Sequence, residues 1–580
     1  MTNKINYNRR QFLQHSAFGA AAFTAFPGML FAKAGQLQNK ATPGFKADVE
    51  IEFVSRDAYI SIFKKGSKTK VQKYYAELLK GPKNTLVELE NNYLGPIVNY
   101  VKGQKVRIYY KNMLSEPSII HWHGLHVPQH CDGHPMYSLE PGQSYVYEFE
   151  VMNNAGTSFY HSHSHNLTAE QVYNGLAGLI TVTDSEEQKL DLPQGEYDLP
   201  FVIQDRTFNT QNQLQYLHGM HGRMTGFLGE DILVNGTPNA EFSVKTRAYR
   251  LRAVNGSNSR IYKLGWDDGT PLTAIGTDAH LLEKPETRPY LMFAPGERID
   301  LWLDFSGHSV GSKLVMYSLP YEGAMPPKME EQRLGKKSSG GMGGGMMGGG
   351  MMGGGMMSSG LGQGDKFPIA TFKITEKVSD SPKLPKTLGR FERLTEASVD
   401  NPNKPIPIGI DMQPMRPMLN GKSFSMNRVL DFERVELGSI KKIKIFHDHG
   451  PMKMEQGEKM DKDMDMSGGK MKMEGGGGMG MGMMGGGMGG GMMMSMAHPI
   501  HLHGQQFQVL SREIEGMRQE EYKTVKEGFI NTGWKDTVLV MPGEEIVIAK
   551  PFQDYKGLFL YHCHNLEHED LGMMRQFYIG

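Results

Sequence analysis

The residues with the clearest chemical potential in this sequence are histidines separated by a single position. Imidazole nitrogens are common ligands of transition metals. On a β-strand, residues i and i+2 share a face, so each such pair directs two imidazoles toward one point. Four pairs, two near each end of the chain, predict metal binding: His121/His123, His161/His163, His501/His503 and His562/His564.

Cys563 lies between the two histidines of the last pair, in the stretch YHCHNLEHEDLGMM. If His562 and His564 point to one side of a strand, the Cys563 side chain points to the other, so the thiol belongs to a different site. A thiolate, two histidines and a weakly bound axial methionine form the ligand set of a blue-copper electron-transfer site. The sequence offers such a set in His498, Cys563, His568 and Met573.

The eight histidines of the four pairs predict a second site, which holds three copper ions. Eight imidazoles divide as three, three and two over three ions, which leaves positions open for dioxygen. With the blue-copper site included, the ions would store the four electrons that reduce dioxygen to two waters. Cys563 is covalently adjacent to His562 and His564, so it would connect the site that collects electrons to the site that spends them.

Short apolar or alternating runs must position these residues from about residue 46 onward. Examples are VRIYYKN, YVYEFEV, GLITVTD and EIVIAKPF, and Pro-Gly turns precede several of the runs. Many short strands with regular turn signals predict an all-β protein made of β-sandwiches or Greek-key barrels. A similar Pro-Gly phrase in each third of the chain predicts three related domains, at 46–190, 195–380 and 385–580.

Two segments rich in methionine and glycine interrupt this pattern, at 338–364 and 451–496. Together they hold more than half of the 42 methionines. Glycine at this density loses too much backbone entropy on ordering to form a core by itself. Both segments are therefore predicted to be disordered insertions, the first in the second domain and the second in the third.

The N-terminal residues 1–34 resemble a twin-arginine export signal, because Arg9 and Arg10 precede an Ala/Phe-rich stretch and an AKA cleavage site. The apolar stretch is too short and too rich in alanine to span a bilayer, which disfavours a membrane anchor. We therefore expect a periplasmic protein without a membrane span. The formal net charge of +0 gives no indication of binding to nucleic acid or to an anionic membrane, and we expect a monomer.

An exported protein with two cysteines invites a disulfide, here between Cys131 and Cys563. We reject this pairing because Cys563 is predicted to bind copper, and we expect Cys131 to be a free thiol. His126, His130 and His134 crowd near HWHG, which leaves open a surface copper site as the alternative to ordinary solvated histidines.

The four histidine motifs, in this order and at the two ends of the chain, resemble those of the multicopper oxidases. The resemblance covers the mature chain apart from the insertions. It implies three cupredoxin-like Greek-key β-barrels and four copper ions, namely one type 1, one type 2 and a type 3 pair. By motif position it assigns the type 2 ligands to His121 and His501. The implied type 3 ligands are His123, His161 and His564 for one ion, and His163, His503 and His562 for the other.

The resemblance also implies acids that relay the protons consumed in oxygen reduction. Asp132, shortly after HWHG, and Glu569, directly after His568, fall where the family places such acids. The alternative is that each carboxylate only caps a loop or holds a histidine. His165, the last histidine of HSHSH, is expected to be a neighbour of the cluster rather than a ligand.

The methionine-rich segments indicate the electron donor. The second segment ends beside His498, so it is expected to lie at the type 1 copper, where electrons enter. Thioethers favour Cu(I). We therefore predict that the substrate cuprous ion is bound by Met492, Met493, Met494 and Met496, with nitrogen ligands from His447 and His449. The chain then resembles the periplasmic cuprous oxidases of bacterial copper tolerance, except that Met494 stands where those relatives have an aspartate.

The sequence thus predicts a multicopper oxidase that couples one-electron oxidation of Cu(I) to reduction of O2 to water, in copper detoxification, with phenols and Fe(II) as poorer substrates. Two alternatives remain. A general laccase-type phenol oxidase would share the copper ligands without needing the methionines. A non-enzymatic copper-sequestering protein would need the methionines but not a cysteine between two histidines.

Overall fold

The computed structural model describes residues 39–89, 91–216, 220–334, 360–413, 416–447, 495–514 and 518–580. The predicted export signal, most of both methionine-rich segments, and the predicted substrate ligands Met492, Met493, Met494 and His449 lie outside these ranges. Within the ranges, none of the helices is long and apolar enough to cross a membrane.

The described residues are mostly β-strand, and the strands form six sheets. Each sheet draws its strands from one third of the chain, so the sheets fall into three pairs. The all-β fold class predicted from the short alternating runs is confirmed. The limits predicted for the three domains stay a prediction.

The first third packs around a core that includes Phe53, Ile108, Trp122 and Tyr147. Its elements are β1 (Val49–Ile60), β2 (Thr69–Lys80), β3 (Leu86–Val87), β4 (Ile97–Val101), β5 (Lys105–Asn112), β6 (Ile120–His121), β7 (Ser144–Glu150), β8 (Gly156–Ser162), α1 (Thr168–Asn174) and β9 (Ala177–Thr183). The sheet orders are β2-β1-β5-β7 and β3-β4-β9-β8-β6. In β1, buried apolar residues alternate with partly exposed glutamates, so one face of the strand packs inward.

The middle third packs around Phe201, Leu251, Leu301 and Phe372. Its elements are β10 (Asp198–Arg206), α2 (Met220–Thr225), β11 (Asp231–Val234), β12 (Thr237–Pro238), β13 (Ala240–Lys245), β14 (Ala248–Asn255), β15 (Tyr262–Trp266), β16 (Leu272–Thr277), β17 (His280–Arg288), β18 (Leu291–Phe293), β19 (Arg298–Asp304), β20 (Lys313–Ser318), α3 (Pro327–Arg333) and β21 (Phe367–Glu376). The sheet orders are β12-β11-β10-β14-β19-β16-β17 and β13-β21-β20-β15-β18.

The last third packs around Ile443, Ile445, Ile500 and Phe577. Its elements are β22 (Ile406–Gln413), β23 (Arg416–Leu419), β24 (Arg434–Val435), β25 (Ser439–His447), β26 (His498–Leu502), β27 (Phe507–Ile514), α4 (Gln519–Tyr522), β28 (Trp534–Lys535), β29 (Thr537–Val540), β30 (Glu544–Phe552), β31 (Gly557–Cys563), α5 (Leu566–Asp570) and β32 (Met574–Ile579). The sheet orders are β23-β22-β25-β30-β27-β28 and β24-β32-β31-β26-β29.

Two strand pairings position the histidine motifs. In the first third, β6 pairs with β8, and His121 lies opposite His161. In the last third, β26 pairs with β31, and His501 lies opposite His562. The two ends of the chain also meet directly, because the Asp570 carboxylate accepts the backbone N–H groups of Thr168 and Ala169 at the start of α1, at 3.0 and 2.9 Å. The motifs therefore face each other across the junction of the first and last thirds.

Candidate metal centres

Eight histidine side chains from the two ends of the chain lie in one buried cluster, and each is at most 2% exposed. They are the members of the four predicted pairs: His121, His123, His161, His163, His501, His503, His562 and His564. The loop after β6 reaches the cluster at Gly133, which has a positive φ of 80°. A Cβ atom there would lie only 2.6 Å from the Cα of His121, so glycine permits the approach.

The nitrogen atoms of these histidines come close enough to share metal ions. The described residues contain three sets of histidines whose possible ligand atoms lie within 4.8 Å of one another: His121/His123/His161, His121/His501/His503 and His163/His503/His562. His562 Nε2 is 3.1 Å from His503 Nε2 and 3.4 Å from His163 Nε2. His123 Nδ1 is 3.4 Å from His161 Nε2, and the His564 ring centroid is 5.0 Å from that of His123.

Several buried nitrogens of the cluster have no hydrogen-bond partner, which is the pattern expected of metal ligands. They are His121 Nε2, His163 Nδ1, His501 Nε2 and both ring nitrogens of His564. A buried polar atom without a partner is costly unless something else binds it. Burial lowers the pKa of His161 to about 4 and that of His163 to about 3, so both are neutral at pH 7. Neutral imidazoles in this number fit copper ions.

Two aspartates orient the rings so that particular nitrogens face the cluster. His121 Nδ1 lies 2.5 Å from the Asp132 carbonyl oxygen, and His503 Nδ1 lies 2.7 Å from the Asp132 carboxylate. His501 Nδ1 lies 2.9 Å from the Asp536 carbonyl oxygen, and His123 Nε2 lies 3.1 Å from its carboxylate. Each contact occupies one ring nitrogen and leaves the other for a metal.

Asp536 was not identified from the sequence. It lies between β28 and β29, in the stretch WKDTV, and no histidine or cysteine near it signals a metal site. Its carboxylate also accepts hydrogen bonds from both terminal nitrogens of Arg298, with Nη1 at 2.7 Å. Burial alone would raise the pKa of Asp536, but Arg298 and His123 outweigh it and lower the pKa well below its usual range. The residue is therefore an ionised anchor shared by two rings of the cluster.

The two acids predicted to relay protons lie at the cluster, and their pKa values are shifted in opposite directions. Burial raises the pKa of Asp132 well above its usual range. For Glu569, burial alone would do the same, but its contacts with His163 and His562 outweigh it and lower the pKa. Its carboxylate oxygens lie 3.0 Å from His562 Nδ1 and 3.6 Å from His163 Nε2. Asp132 thus favours its protonated form and Glu569 its ionised form, and the relay itself stays a prediction.

A second, separate set of possible ligands surrounds Cys563. Its sulfur lies 3.4 Å from His498 Nδ1 and 3.8 Å from His568 Nδ1, and all three side chains are fully buried. The backbone N–H of Asn565 donates to the same sulfur at 3.4 Å. Met573 is buried in the same apolar core as Cys563, and its carbonyl accepts the Cys563 N–H at 3.0 Å. The described part of the chain therefore brings the predicted blue-copper residues together.

Successive residues at the end of β31 face different sets of possible ligands. Cys563 faces His498 and His568, whereas the His562 and His564 rings contact the eight-histidine cluster. Cys131 and Cys563 are both buried, and both are free thiols, as the sequence predicts. Burial raises the pKa of the Cys563 thiol, so its thiolate needs a cation such as a metal ion to stabilise it.

The predicted substrate residues that the structure describes lie beside His498. Met496 is buried at 5% exposure, two positions before His498. The His447 ring centroid is 5.6 Å from that of His498, and its Nδ1 lies 3.2 Å from Ser495 Oγ. These contacts place the end of β25 and the start of β26 next to the set around Cys563.

The surface copper site left open near HWHG gains no support from the described residues, where none of the sets of possible metal ligands includes His126, His130 or His134. His134 is fully buried, and its Nε2 lies 2.8 Å from Gln576 Oε1 in the last third. His126 contacts Gln506 instead of a second histidine. Cys131 Sγ lies 3.5 Å from the Glu148 carbonyl, and burial raises its pKa to about 12. His165 packs on Phe424, with 5.2 Å between ring centroids.

Comparisons with known proteins agree with this arrangement. Sequence profiles of the multicopper oxidases match residues 70–187 and 488–580, which include all four histidine pairs. The chain is 28% identical to a multicopper oxidase of Staphylococcus aureus over 511 residues, 87% of each chain. It is 26% identical to a laccase of Bacillus subtilis over 487 residues, 79% of each chain. The crystal structure of the McoA multicopper oxidase of Aquifex aeolicus matches with a TM-score of 0.68 and 27% identity, covering 94% of this chain and 100% of that one.

The structural neighbours share the three-domain, cupredoxin-like architecture, which confirms that part of the predicted fold. Each of the two matched segments contains two histidine pairs of the buried cluster, and the similarity to relatives extends over most of the chain. The chain therefore belongs to the multicopper oxidase family, whose members are oxidoreductases that use O2.

Proposed function

We propose that this protein removes one electron at a time from Cu(I) at a type 1 copper and uses four such electrons to reduce O2 to water at a trinuclear copper cluster. The physiological role would be copper detoxification. The observation that carries the proposal is the position of Cys563, whose sulfur faces His498 and His568 while its two chain neighbours face the histidine cluster. Two sites are thereby joined through the covalent bonds of one strand.

The ligand assignments follow the motif positions and the orphaned nitrogens. The type 1 ligands are His498, Cys563, His568 and Met573, and the type 2 ligands are His121 and His501. The type 3 ligands are His123, His161 and His564 for one ion, and His163, His503 and His562 for the other. When bound, the copper ions would collect electrons singly and deliver them to O2 in a group of four. Unpartnered Nε2 atoms on His121 and His501 support the type 2 assignment.

Protons for water formation would pass through Asp132 and Glu569. Burial favours the protonated form of Asp132, and its Oδ1 atom has no hydrogen-bond partner within the described residues, so it is available to exchange a proton. Glu569 contacts His562 and His163, which favour its ionised form, and it can accept a proton there. A donor and an acceptor of different proton affinity at one cluster suit general acid–base catalysis.

Cu(I) as the natural electron donor is supported by where the two methionine-rich segments join the described structure. The backbone N–H of Ala497, beside His498, donates to the Ala324 carbonyl at 2.9 Å. Arg518 links the same region to α3, with Nη1 at 2.9 Å from the Met325 carbonyl and Nη2 at 2.7 Å from Glu330. The first segment follows α3, and the second ends at Met496, two residues before His498. Both segments therefore attach close to the proposed type 1 site, and their soft thioethers favour Cu(I).

Steady-state O2 consumption with Cu(I), Fe(II) and a phenol, compared side by side, tests the substrate assignment. Two variants sharpen the test, one lacking residues 451–494 and one in which a Gly/Ser segment of equal length replaces them. We expect cuprous oxidation at low copper to fall in both variants, because both lose the thioethers. Phenol oxidation is expected to rise in the deletion, because bulky donors gain access to the type 1 edge. Unchanged cuprous oxidation at low copper in both variants would reject delivery by these methionines.

General phenol oxidation is the second candidate function, and similarity to the Bacillus subtilis laccase favours it. It would be preferred if the parent protein oxidised the phenol faster than Cu(I) at equal concentration. A protein that only stores copper is distinguished by colour. A cysteine-bound type 1 copper absorbs strongly in the red, whereas copper held only by methionine and histidine does not.

We further propose export by the twin-arginine pathway and residence in the periplasm as a monomer. The proposal rests on Arg9, Arg10 and the small-residue AKA that follows them. Replacing both arginines by lysine is expected to retain the protein in the cytoplasm, as measured by fractionation and immunoblotting. Unimpaired export of the lysine variant would contradict the assignment.

A further inference from the structure

One buried carboxylate beside the proposed type 1 ligands has no part in the function described so far. Glu567 immediately precedes His568 in α5 and is 1% exposed. Its Oε1 atom accepts hydrogen bonds from Tyr216 Oη and Asn258 Nδ2, both at 2.8 Å. Its Oε2 atom accepts from the backbone N–H of Phe227, at 3.2 Å, and from Ser259 Oγ. All four donors belong to the middle third of the chain.

We take Glu567 as the carboxylate because each of its oxygens accepts from an N–H group that can only donate, Asn258 Nδ2 at Oε1 and the Phe227 backbone N–H at Oε2. A carboxylate is an acceptor only and can receive several hydrogen bonds, whereas a protonated acid would need an acceptor of its own. Within the described residues, no lysine or arginine nitrogen lies within 4.0 Å of Glu567. The charge is therefore balanced by the dipoles of neutral donors instead of by a cation, and it acts on its surroundings as a net negative charge.

The same contacts tie α5, the helix that carries His568, to the middle third of the chain. The single hydroxyl hydrogen of Ser259 is shared between Glu567 and Asn565, whose Oδ1 atom lies 3.0 Å from Ser259 Oγ, and the Asn565 N–H donates to the Cys563 sulfur. His568 Nε2 lies 3.1 Å from the Met224 carbonyl. At Gly226, with a φ of 80°, a Cβ atom would lie 2.2 Å from Ser259 Oγ, so only glycine allows the segment to approach this closely. Residues of the middle third thus contact Asn565, Glu567 and His568.

We propose that Glu567 is a positioning residue that holds α5, and with it His568, against the middle third of the chain. Its charge also lowers the reduction potential of the type 1 copper. A fixed negative charge near a metal stabilises its more positive oxidation state, here Cu(II) relative to Cu(I). A lower potential weakens the driving force for taking an electron from the substrate and strengthens that for passing it on to the cluster. The inference rests on the proposed type 1 ligand set.

The test is a potentiometric titration of the red absorption band of the copper-loaded protein. Glu567→Gln keeps the shape of the side chain and removes its charge, so we expect the midpoint potential to shift upward. Glu567→Asp keeps the charge and should stay nearer the parent. Glu520→Gln removes a charge from an exposed position in α4 and should leave the midpoint unchanged. A Glu567→Gln midpoint equal to that of the parent would overturn the proposal.

If Glu567→Gln does not fold, a second variant tests whether the Glu567 charge affects the midpoint potential. The double variant Tyr216→Phe/Ser259→Ala removes two neutral donors and leaves the carboxylate, so its charge is less screened and the midpoint should fall. A midpoint that is unchanged or higher would contradict the role of the charge. Absence of the red band in the parent protein would instead reject the type 1 ligand set, which keeps the failure of the two proposals distinguishable.

Discussion

At the scale of single residues, the chemistry depends on which nitrogen of each histidine faces the metal. The Asp132 and Asp536 carbonyls occupy Nδ1 of His121 and His501 and leave Nε2. The Asp536 carboxylate instead occupies Nε2 of His123 and leaves Nδ1. Fixed ring orientations of this kind make a metal site selective for geometry as well as for ligand type.

Replacing Cys563 by serine should abolish both the red absorption and substrate-driven O2 consumption. A hydroxyl is a poor soft ligand, and the covalent link between the two sites would lose its sulfur. Copper content should fall by about one ion per chain, because the histidine cluster does not need the thiol. Cys131→Ser is the matched control, since the buried Cys131 sulfur contacts the Glu148 carbonyl and belongs to neither set of possible ligands. A red, active Cys563→Ser protein would contradict the ligand assignment.

Replacing Asp132 by asparagine should slow O2 consumption by about 100-fold, the order expected for loss of a general acid. In the parent, activity should fall as pH rises through the raised pKa of Asp132, because the ionised carboxylate has no proton to donate. The asparagine variant should lack this falling limb in its pH–rate profile. Asp132→Glu serves as the control that retains a titrating group. An unchanged profile in Asp132→Asn would show that the protons travel elsewhere.

At the scale of elements, short connections carry the residues that hold the cluster. Asp536, between β28 and β29, is bound by Arg298 at the start of β19 and in turn binds His123 beyond β6. Next to it, Lys535 lies 3.0 Å from Asp278 and 3.1 Å from Glu297. This buried network of charges joins all three thirds of the chain at one point.

Asp536→Ala should destabilise the metal-free protein by about 3–5 kcal/mol, because it leaves the buried guanidinium of Arg298 without its main partner. It should also weaken copper binding at the cluster, because His123 loses the carboxylate that orients its ring, whereas the backbone carbonyl that contacts His501 remains. Urea unfolding and copper analysis after dialysis measure the two effects. Asp536→Asn, which keeps the shape and part of the hydrogen bonding, should show smaller losses. Equal stability of Asp536→Ala and the parent would argue against the anchor.

At the scale of the whole molecule, each third of the chain has its own main apolar core, and smaller apolar clusters join the first third to the middle third and the middle third to the last. The proposed trinuclear ligands come from both ends of the sequence and none from the middle. The middle third instead supplies Arg298 to one site and the donors around Glu567 to the other. Bound metal would therefore add a direct link between the first and last thirds, which also meet at a small apolar cluster of Ala169, Val172 and Leu566.

Removal of copper by reduction and chelation should lower the midpoint of thermal unfolding, and re-addition should restore it. A ligand that binds only the folded state adds about 4 kcal/mol at a thousand times its dissociation constant. Amide hydrogen exchange should quicken mainly in β6, β8, β26 and β31, which carry the histidines. The Cys563→Ser protein should keep most of the stabilisation, since its cluster is intact. Equal midpoints with and without copper would contradict a metal that bridges the two ends.

Much of the candidate site was predictable because it depends on local periodicity. Alternation along β31 places Cys563 and its two neighbours on opposite faces whatever the rest of the fold, and the same rule gives each histidine pair a common direction. The all-β class followed from short runs and turns for a similar reason. The burial of His134 was not predictable from its neighbours in the sequence, because its partner Gln576 lies in another third of the chain.

The sequence by itself determined which residues carry metal-binding chemistry and how each small group is arranged on its strand, because side-chain direction in a strand repeats every two residues. Only the tertiary structure decided what those groups meet. Asp536, Arg298 and Glu567 act through hydrogen bonds to residues hundreds of positions away, and no local pattern records such partners. Their roles arise where three separately packed cores come into contact, which is a property of the assembled chain.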